Sequence, residues 1–148
     1  MSYPRQRVTL ITLGVADLER SRDFYARWGW QPHGDSAPGV FFYQMQGAVL
    51  ALFGLSDLAE DQGRPGATLG AGAMTLAQNC ASEAEVDAVF DAALEAGAEL
   101  LKRPEKVFWG GYSGYFADPD GHVWEIAMNP FWPLSPDGAL TLPDAAGA

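Results

Sequence analysis

The sequence predicts an α+β protein assembled from two similar βαβββ halves. Two observations carry that reading. A strand-like aliphatic run is followed by a capped helix that stops at a glycine, and then by further strand-like runs. The same order returns after about 65 residues, the mark of an internal duplication. The 148 residues, 48% hydrophobic and 19% charged, suit one globular domain with a buried core.

Val8 to Val15 (VTLITLGV) is rich in β-branched and aliphatic residues and reads as a buried strand. Asp17 is a helix N-cap, its carboxylate able to accept from backbone N–H groups of the first turn. Leu18, Ser21, Phe24, Tyr25 and Trp28 fall close to one helical face, and Gly29 is placed to end the helix. Val40 to Gln46 and Ala48 to Phe53 form a strand pair about Gly47. Leu55 to Gly72, with its glycines and Pro65, reads as a long connecting loop.

The second half begins with a short strand at Ala73 to Ala77. Ser82 and Glu85 make the S-x-x-E capping box, and Val86, Val89, Phe90, Ala93 and Leu94 follow at helical spacing up to Gly97. Glu99 to Leu101 begins another strand. Tyr112 to Ala117 and His122 to Met128 flank Asp118-Pro119-Asp120-Gly121, whose proline and glycine suit a type I turn. The expected organisation is one domain over 1–148. Module one occupies about 5–60, a linker about 55–72, module two about 73–130, and a tail runs over 131–148. In the tail, Phe131 and Trp132 are expected to dock on the body or on a partner chain, and 143–148 to fray.

Composition excludes several function classes. The net charge of −10, with nine scattered basic residues, argues against nucleic-acid binding. No apolar run reaches the roughly 20 residues that span a bilayer, and Met1 to Arg7 is too polar for a signal peptide. A single cysteine, Cys80, makes no internal disulfide, so the expected compartment is the cytoplasm. Before a helix start its thiolate could gain from the helix dipole, but an inert buried thiol is the plainer reading.

Leu13-Gly14-Val15-Ala16-Asp17-Leu18-Glu19-Arg20-Ser21 through Phe24-Tyr25, and Tyr115-Phe116-Ala117-Asp118-Pro119-Asp120-Gly121-His122-Val123-Trp124-Glu125-Ile126, carry a resemblance. Both segments resemble the glyoxalase, bleomycin-resistance and extradiol-dioxygenase superfamily, the vicinal oxygen chelate proteins. The resemblance implies modules paired edge to edge, with curved mixed sheets forming a cup that a homodimer often completes. Metal-dependent members place His and carboxylate ligands at four strand positions, which fall here on Leu10, Ala51, Ala73 and Glu125. Only Glu125 is a ligand type, so no family-type metal site and no cofactor are expected. That places glyoxalase I, extradiol dioxygenase and thiol-transferase chemistry in doubt, since each needs the metal.

With Glu125 taken as facing the cup, strand alternation turns Val123 and Ala127 the same way and sends Trp124 and Ile126 towards a helix. Ser113 and Tyr115 should face inward beside it, the places of ligand-contacting hydroxyls in related resistance proteins. Leu10, Thr12, Ala51 and Phe53 would line the opposite wall, with Thr75 beside Ala73. Trp109, in Phe108-Trp109-Gly110-Gly111-Tyr112, could hinge over the mouth. A carboxylate in such an aromatic pocket calls for a cationic ligand or for use as an acid or base.

Three functions compete. The first is a metal-independent binder of a small aromatic or cationic molecule, of the resistance or sequestration type. The second is a lyase, isomerase or epimerase-like enzyme using Glu125 and Tyr115 as acid and base, with a metal-dependent, lactoylglutathione lyase-like glyoxalase as its weaker form. The third is a protein-interaction module using the 55–72 segment and the Phe131-Trp132 tail. Each of Glu125, Tyr115, Ser113 and Trp109 also has a purely structural reading, as a hydrogen-bonded or packed residue.

Overall fold

A computed structural model describes residues 3–34 and 36–144. The chain divides into two compact units, Met1–Leu69 and Gly70–Ala148. The first contains β1 (Leu10–Val15), α1 (Leu18–Trp28), β2 (Val40–Gln44), β3 (Val49–Gly54) and α2 (Leu55–Asp61). Its sheet has the order β1-β3-β2, with β3 parallel to β1 and antiparallel to β2. Asp17 caps α1 by accepting from the Arg20 N–H at 3.1 Å, and Gly29 ends it in the left-handed region at φ 114°. Caps of this kind contribute about 1 kcal/mol each.

The period of two along the strands divides this sheet into two faces. Leu13, Val15, Leu50, Leu52 and Tyr43 are buried, as are Phe24, Tyr25 and Trp28 of α1. The Tyr25 and Tyr43 rings lie 6.0 Å apart, so this is the face that α1 covers. The other face carries the row Thr12, Ala51 and Phe42, which are register partners. α2 closes one end of it: a Cβ on Gly14 would stand 2.8 Å from Cδ2 of Leu55. Gly14 is therefore kept bare by contact with a helix.

That helix corrects the expectation of a loop over Leu55 to Gly72. Leu55, Leu58 and Ala59 supply an apolar stripe at helical spacing, and the loop-forming glycines begin only at Gly63. Among the described residues the first half also has three strands where four were expected. Between α1 and β2, Pro32, Gly34, Pro38 and Gly39 interrupt any ladder. The backbone of β2 is instead tied there by the His33 N–H, which donates to the Phe42 carbonyl at 2.6 Å. The Ser36 hydroxyl accepts from the Phe42 N–H at 2.9 Å.

The second unit follows the full βαβββ plan: β4 (Thr75–Asn79), α3 (Glu83–Glu95), β5 (Glu99–Lys106), β6 (Tyr112–Ala117) and β7 (Val123–Met128). The sheet order is β4-β7-β6-β5. The capping box forms on both sides, with Ser82 Oγ accepting from the Glu85 N–H and the Glu85 carboxylate from the Ala81 N–H. Val86, Phe90 and Ala93 of α3 are buried, as are Phe116, Trp124 and Ile126 of the sheet. Phe90 meets Phe116 edge to face, with centroids 5.9 Å apart. Burying each such aromatic contributes about 2–3 kcal/mol. The Asp118–Gly121 turn closes with the Gly121 N–H donating to the Asp118 carbonyl. The buried Asp118 carboxylate braces it by accepting from the N–H groups of Asp120 and His122, both at 2.9 Å.

β5, expected to begin over Glu99 to Leu101, runs on to Lys106. Its register against β6 slips twice, between Leu100 and Lys102 and between Lys102 and Glu105. These are β-bulges, and a proline sits inside the second. A Cβ on Gly114 of β6 would lie 2.7 Å from the Pro104 nitrogen, so Gly114 is required by the bulged backbone beside it.

Beyond β7, Leu134 and Leu140 form an isolated bridge about a turn held by Ser135. Phe131 is 65% exposed and Trp132 38%, so of the two expected docking places, the body or a partner chain, this unit covers them only in part. Of the end expected to fray, 145–148 lies outside the described residues. No helix among the described residues is long and apolar enough to cross a membrane.

Candidate functional site

The face of the second sheet that turns away from α3 holds the polar groups. Tyr115 is the register partner of Glu125 and Ser113 that of Ala127; on the other side of β7, Ala77 partners Glu125 and Thr75 partners Val123. Partnered residues share a face, and Phe116, Trp124 and Ile126 are buried on the other one. The alternation expected from the sequence therefore holds, with Ser113, Tyr115 and Glu125 side by side. Across the ladder the Tyr115 hydroxyl donates to Oε2 of Glu125 at 3.0 Å. Burial, and then Glu125 itself, hold the Tyr115 phenol above its ordinary range. The phenol keeps its proton at neutral pH, and the bond is lost only as pH rises through that elevated value.

Trp109 reaches the same face. Gly111 precedes β6, and alternation points a side chain at 111 the way of Ser113 and Tyr115. That position is occupied, since a Cβ there would lie 1.7 Å from Cζ3 of the Trp109 ring. The indole is thus folded back onto its own loop, over bare backbone. The loop is tied by the Val107 N–H to the Gly111 carbonyl and by the Gly110 N–H to the Val107 carbonyl, both at 3.0 Å. Gly110, at φ 95°, stands against the edge of Phe131, while Phe108 at the loop tip is fully exposed.

The duplication allows each position to be matched with its counterpart. Leu10 pairs with Val49 and Thr75 with Val123; two residues further on, β3 has Ala51 where β7 has Glu125. The antiparallel partner of Ala51 is Phe42, and that of Glu125 is Tyr115. Strand-to-cap spacing agrees, with Leu10 seven positions before Asp17 and Thr75 seven before Ser82. The position matching Leu10 is therefore Thr75, two residues later than the Ala73 taken from sequence, because β4 begins at Thr75. Ala73 lies outside the strand.

Leu10 and Ala51 in the first unit, and Thr75 and Glu125 in the second, thus stand at matching positions of the two sheets. Within each unit the set falls short of a divalent ion: a leucine and an alanine in the first, a threonine and a single carboxylate in the second. Nor do any three His, Cys, Asp or Glu side chains among the described residues gather as a metal site requires. Of the other expected lining residues, Leu10, Thr12 and Phe53 share the face of the first sheet that turns from α1. Leu10 is exposed, Thr12 and Phe53 are half-buried, and Ala51 is only 1% exposed. Cys80 is buried, and burial, with a smaller contribution from Glu85, pushes its thiol up to about 11.

Two residues on the Glu125 face went unnoticed in the sequence. The bulges of β5 make Lys102 the partner of Tyr115 and Glu105 the partner of Ser113. The two side chains form an ion pair at 3.2 Å. Pro104 between them was the available signal, since a proline inside a strand-like run marks an edge strand or a bulge.

The sequence matches the Glyoxalase/Bleomycin resistance protein/Dioxygenase superfamily over residues 7–126, and the chain belongs to that family. A glyoxalase-related enzyme from Fulvimarina pelagi, solved by crystallography, is 45% identical. The match covers 93% of this chain and 98% of that one, with a TM-score of 0.85. Over 44 residues the chain is 43% identical to an uncharacterized protein of Mycobacterium bovis, a stretch covering 30% of this chain and 29% of that protein. Over 45 residues it is 47% identical to the metallothiol transferase FosB of Shouchella clausii, covering 30% of this chain and 31% of that protein. The matched stretches thus span less than a third of the length of these two relatives.

Proposed function

We propose that this protein is a metal-independent binder of a small aromatic or cationic molecule, acting in the cytoplasm. Glu125 is the counter-ion for a ligand cation, Tyr115 and Ser113 supply hydroxyls, Thr75 borders the carboxylate, and the Trp109 indole offers an aromatic surface. The observation that carries this reading is the Tyr115–Glu125 hydrogen bond on a face where the neighbouring strand β4 presents Thr75 and Ala77, neither of them a metal ligand of the expected type. A half-buried carboxylate given a single neutral donor retains acceptor capacity for an ammonium group. The test is calorimetric titration with benzylamine, alongside metal analysis of protein purified without added metal. Saturable binding that weakens about tenfold or more in Glu125→Gln is expected, as for loss of one charge-assisted hydrogen bond. A stoichiometric divalent ion, or affinity untouched by the substitution, would overturn the reading.

The same bond favours one alternative, an acid–base enzyme. The carboxylate is the base on this reading, and the Tyr115 hydroxyl is a hydrogen-bond donor that orients it, an arrangement suited to metal-free proton abstraction from a carbon acid. On that reading Glu125→Gln lowers kcat on an identified substrate by about 100-fold or more. Unchanged turnover would sink it.

A further inference from the structure

The two bulges in β5 have a chemical consequence. Without them, residues three apart on a strand would point to opposite faces, and Lys102 and Glu105 could not both accompany Tyr115. One slip lies between Leu100, partner of Phe116, and Lys102, partner of Tyr115; a second lies between Lys102 and Glu105. Together they turn both charged side chains onto the face of Glu125, where they meet at 3.2 Å. The next lysine along, Lys106, partners Tyr112 on the α3 side and reaches Glu83 of α3 at 3.6 Å. The strand thus sends one lysine to its helix and one to the polar face. Bulges are known for re-aiming side chains beside functional sites.

A straight row across three strands results: Lys102, Tyr115, Glu125. Two strand spacings separate its ends, so the Lys102 and Glu125 backbones stand about 10 Å apart. A cation sits at one end and a carboxylate at the other, with a phenol between them already donating to the carboxylate. Lys102 and Glu105 are each about half exposed, at 50% and 59%. An ion pair that open to water contributes little, and Lys102 exchanges Glu105 for a ligand anion at small cost.

We propose that Lys102 is a specificity-determining residue and that the ligand class is zwitterionic. The ligand's amine lies against Glu125, and its carboxylate or similar anion, about one aromatic ring away, lies against Lys102. This inference rests on the reading of Glu125 as a cation site, and the experiment separates the two. The probes are benzylamine, 4-(aminomethyl)benzoate and benzoate, titrated into the wild-type protein and into Lys102→Met, Lys102→Arg and Glu105→Gln. The wild type should bind 4-(aminomethyl)benzoate about tenfold more tightly than benzylamine, the gain from one hydrogen bond to a charged group, and should not retain benzoate. Lys102→Met should erase that preference, so that 4-(aminomethyl)benzoate binds no more tightly than benzylamine. Lys102→Arg should keep it, and Glu105→Gln should increase it. Equal binding of the two amines by the wild type, or a preference that survives in Lys102→Met, overturns the role of Lys102 and leaves the cation site standing. Failure of both amines to bind removes the cation site, and the inference with it. Circular dichroism on each variant shows whether a loss of binding is a loss of fold; if Lys102→Met unfolds, a Lys102→Gln variant answers the same question.

Discussion

The two halves of this chain are built alike and finished differently. Each lays a capped helix across one face of a mixed sheet and leaves the other face for a different purpose. On that second face the halves diverge residue by residue: Phe42 and Ala51 in the first stand where Tyr115 and Glu125 stand in the second. The first half covers part of its free face with α2, packed on Gly14, and keeps Ala51 almost wholly out of solvent. The second adds a bulged edge strand that turns charge towards the same face. The helix-covered faces of both halves answer to one requirement, close packing, while the free faces carry different chemistry. Function is best sought where counterpart positions disagree in chemistry.

The largest expected effect comes from forcing the halves to agree. Ala51→Glu places in β3 the carboxylate that β7 carries, but at a buried position facing Phe42. An unpartnered buried charge should cost about 3 kcal/mol or more, read as a lowered midpoint in denaturant. Adding Phe42→Tyr supplies the hydroxyl donor that Tyr115 provides in the other half, and should recover about 1 kcal/mol. If the single variant is as stable as the wild type, the counterpart relation between Ala51 and Glu125 is wrong. No recovery in the double variant would mean that matching register does not place the two side chains alike.

Smaller effects test what sets the second half apart. Gly111→Ala drives a methyl into the space of the Trp109 ring, and should expel the indole at a cost of about 1 kcal/mol. A shift in tryptophan fluorescence without loss of helix signal is the expected readout; an unchanged spectrum would contradict the packing of that ring on Gly111. The Cys80 thiol provides a pH test. Its value in the folded protein is raised to about 11 from 9.0, so the folded state holds that proton more tightly than the unfolded chain does. The resulting stability is fully present below pH 9 and is lost as pH rises towards 11, on the order of 1 kcal/mol. Cys80→Ala should flatten that part of the stability profile, and a profile of unchanged slope would refute the assignment.

Local chemistry made most of the fold readable in the sequence. Asp17, Gly29, the Ser82–Glu85 box and the Asp118–Gly121 turn act within a few residues of themselves, and each does what its residue type suggests. Alternation about Glu125 was equally legible, because a period of two fixes a face once one residue is placed. The failures share one cause, a dependence on partners distant in sequence. α2 is a short helix held against Gly14, the Ala73 position slipped because β4 is defined by its pairing with β7, and the bulges of β5 exist only against β6. Pro104 hinted at the last of these, but a proline does not say which way the next side chain turns.

The smallest effect, and the most discriminating, concerns the faces where the halves ought to agree. Tyr43 pairs with Leu50 as Phe116 pairs with Trp124, so the two are counterparts beneath their helices. Phe116 suits that place: it is fully buried and carries no polar atom. Tyr43 is 2% exposed, and its hydroxyl has no hydrogen-bond partner among the described residues. Burial accordingly raises its phenol to about 12. A buried hydroxyl without a partner loses its bonds to water and gains nothing in return. Tyr43→Phe makes the first half resemble the second and should raise stability by about 0.5–1 kcal/mol, seen as a higher unfolding midpoint with an unchanged denaturant slope. A clear loss of stability would show that the hydroxyl is satisfied, by an internal water for example, and that the two helix-covered faces have diverged as the free faces have.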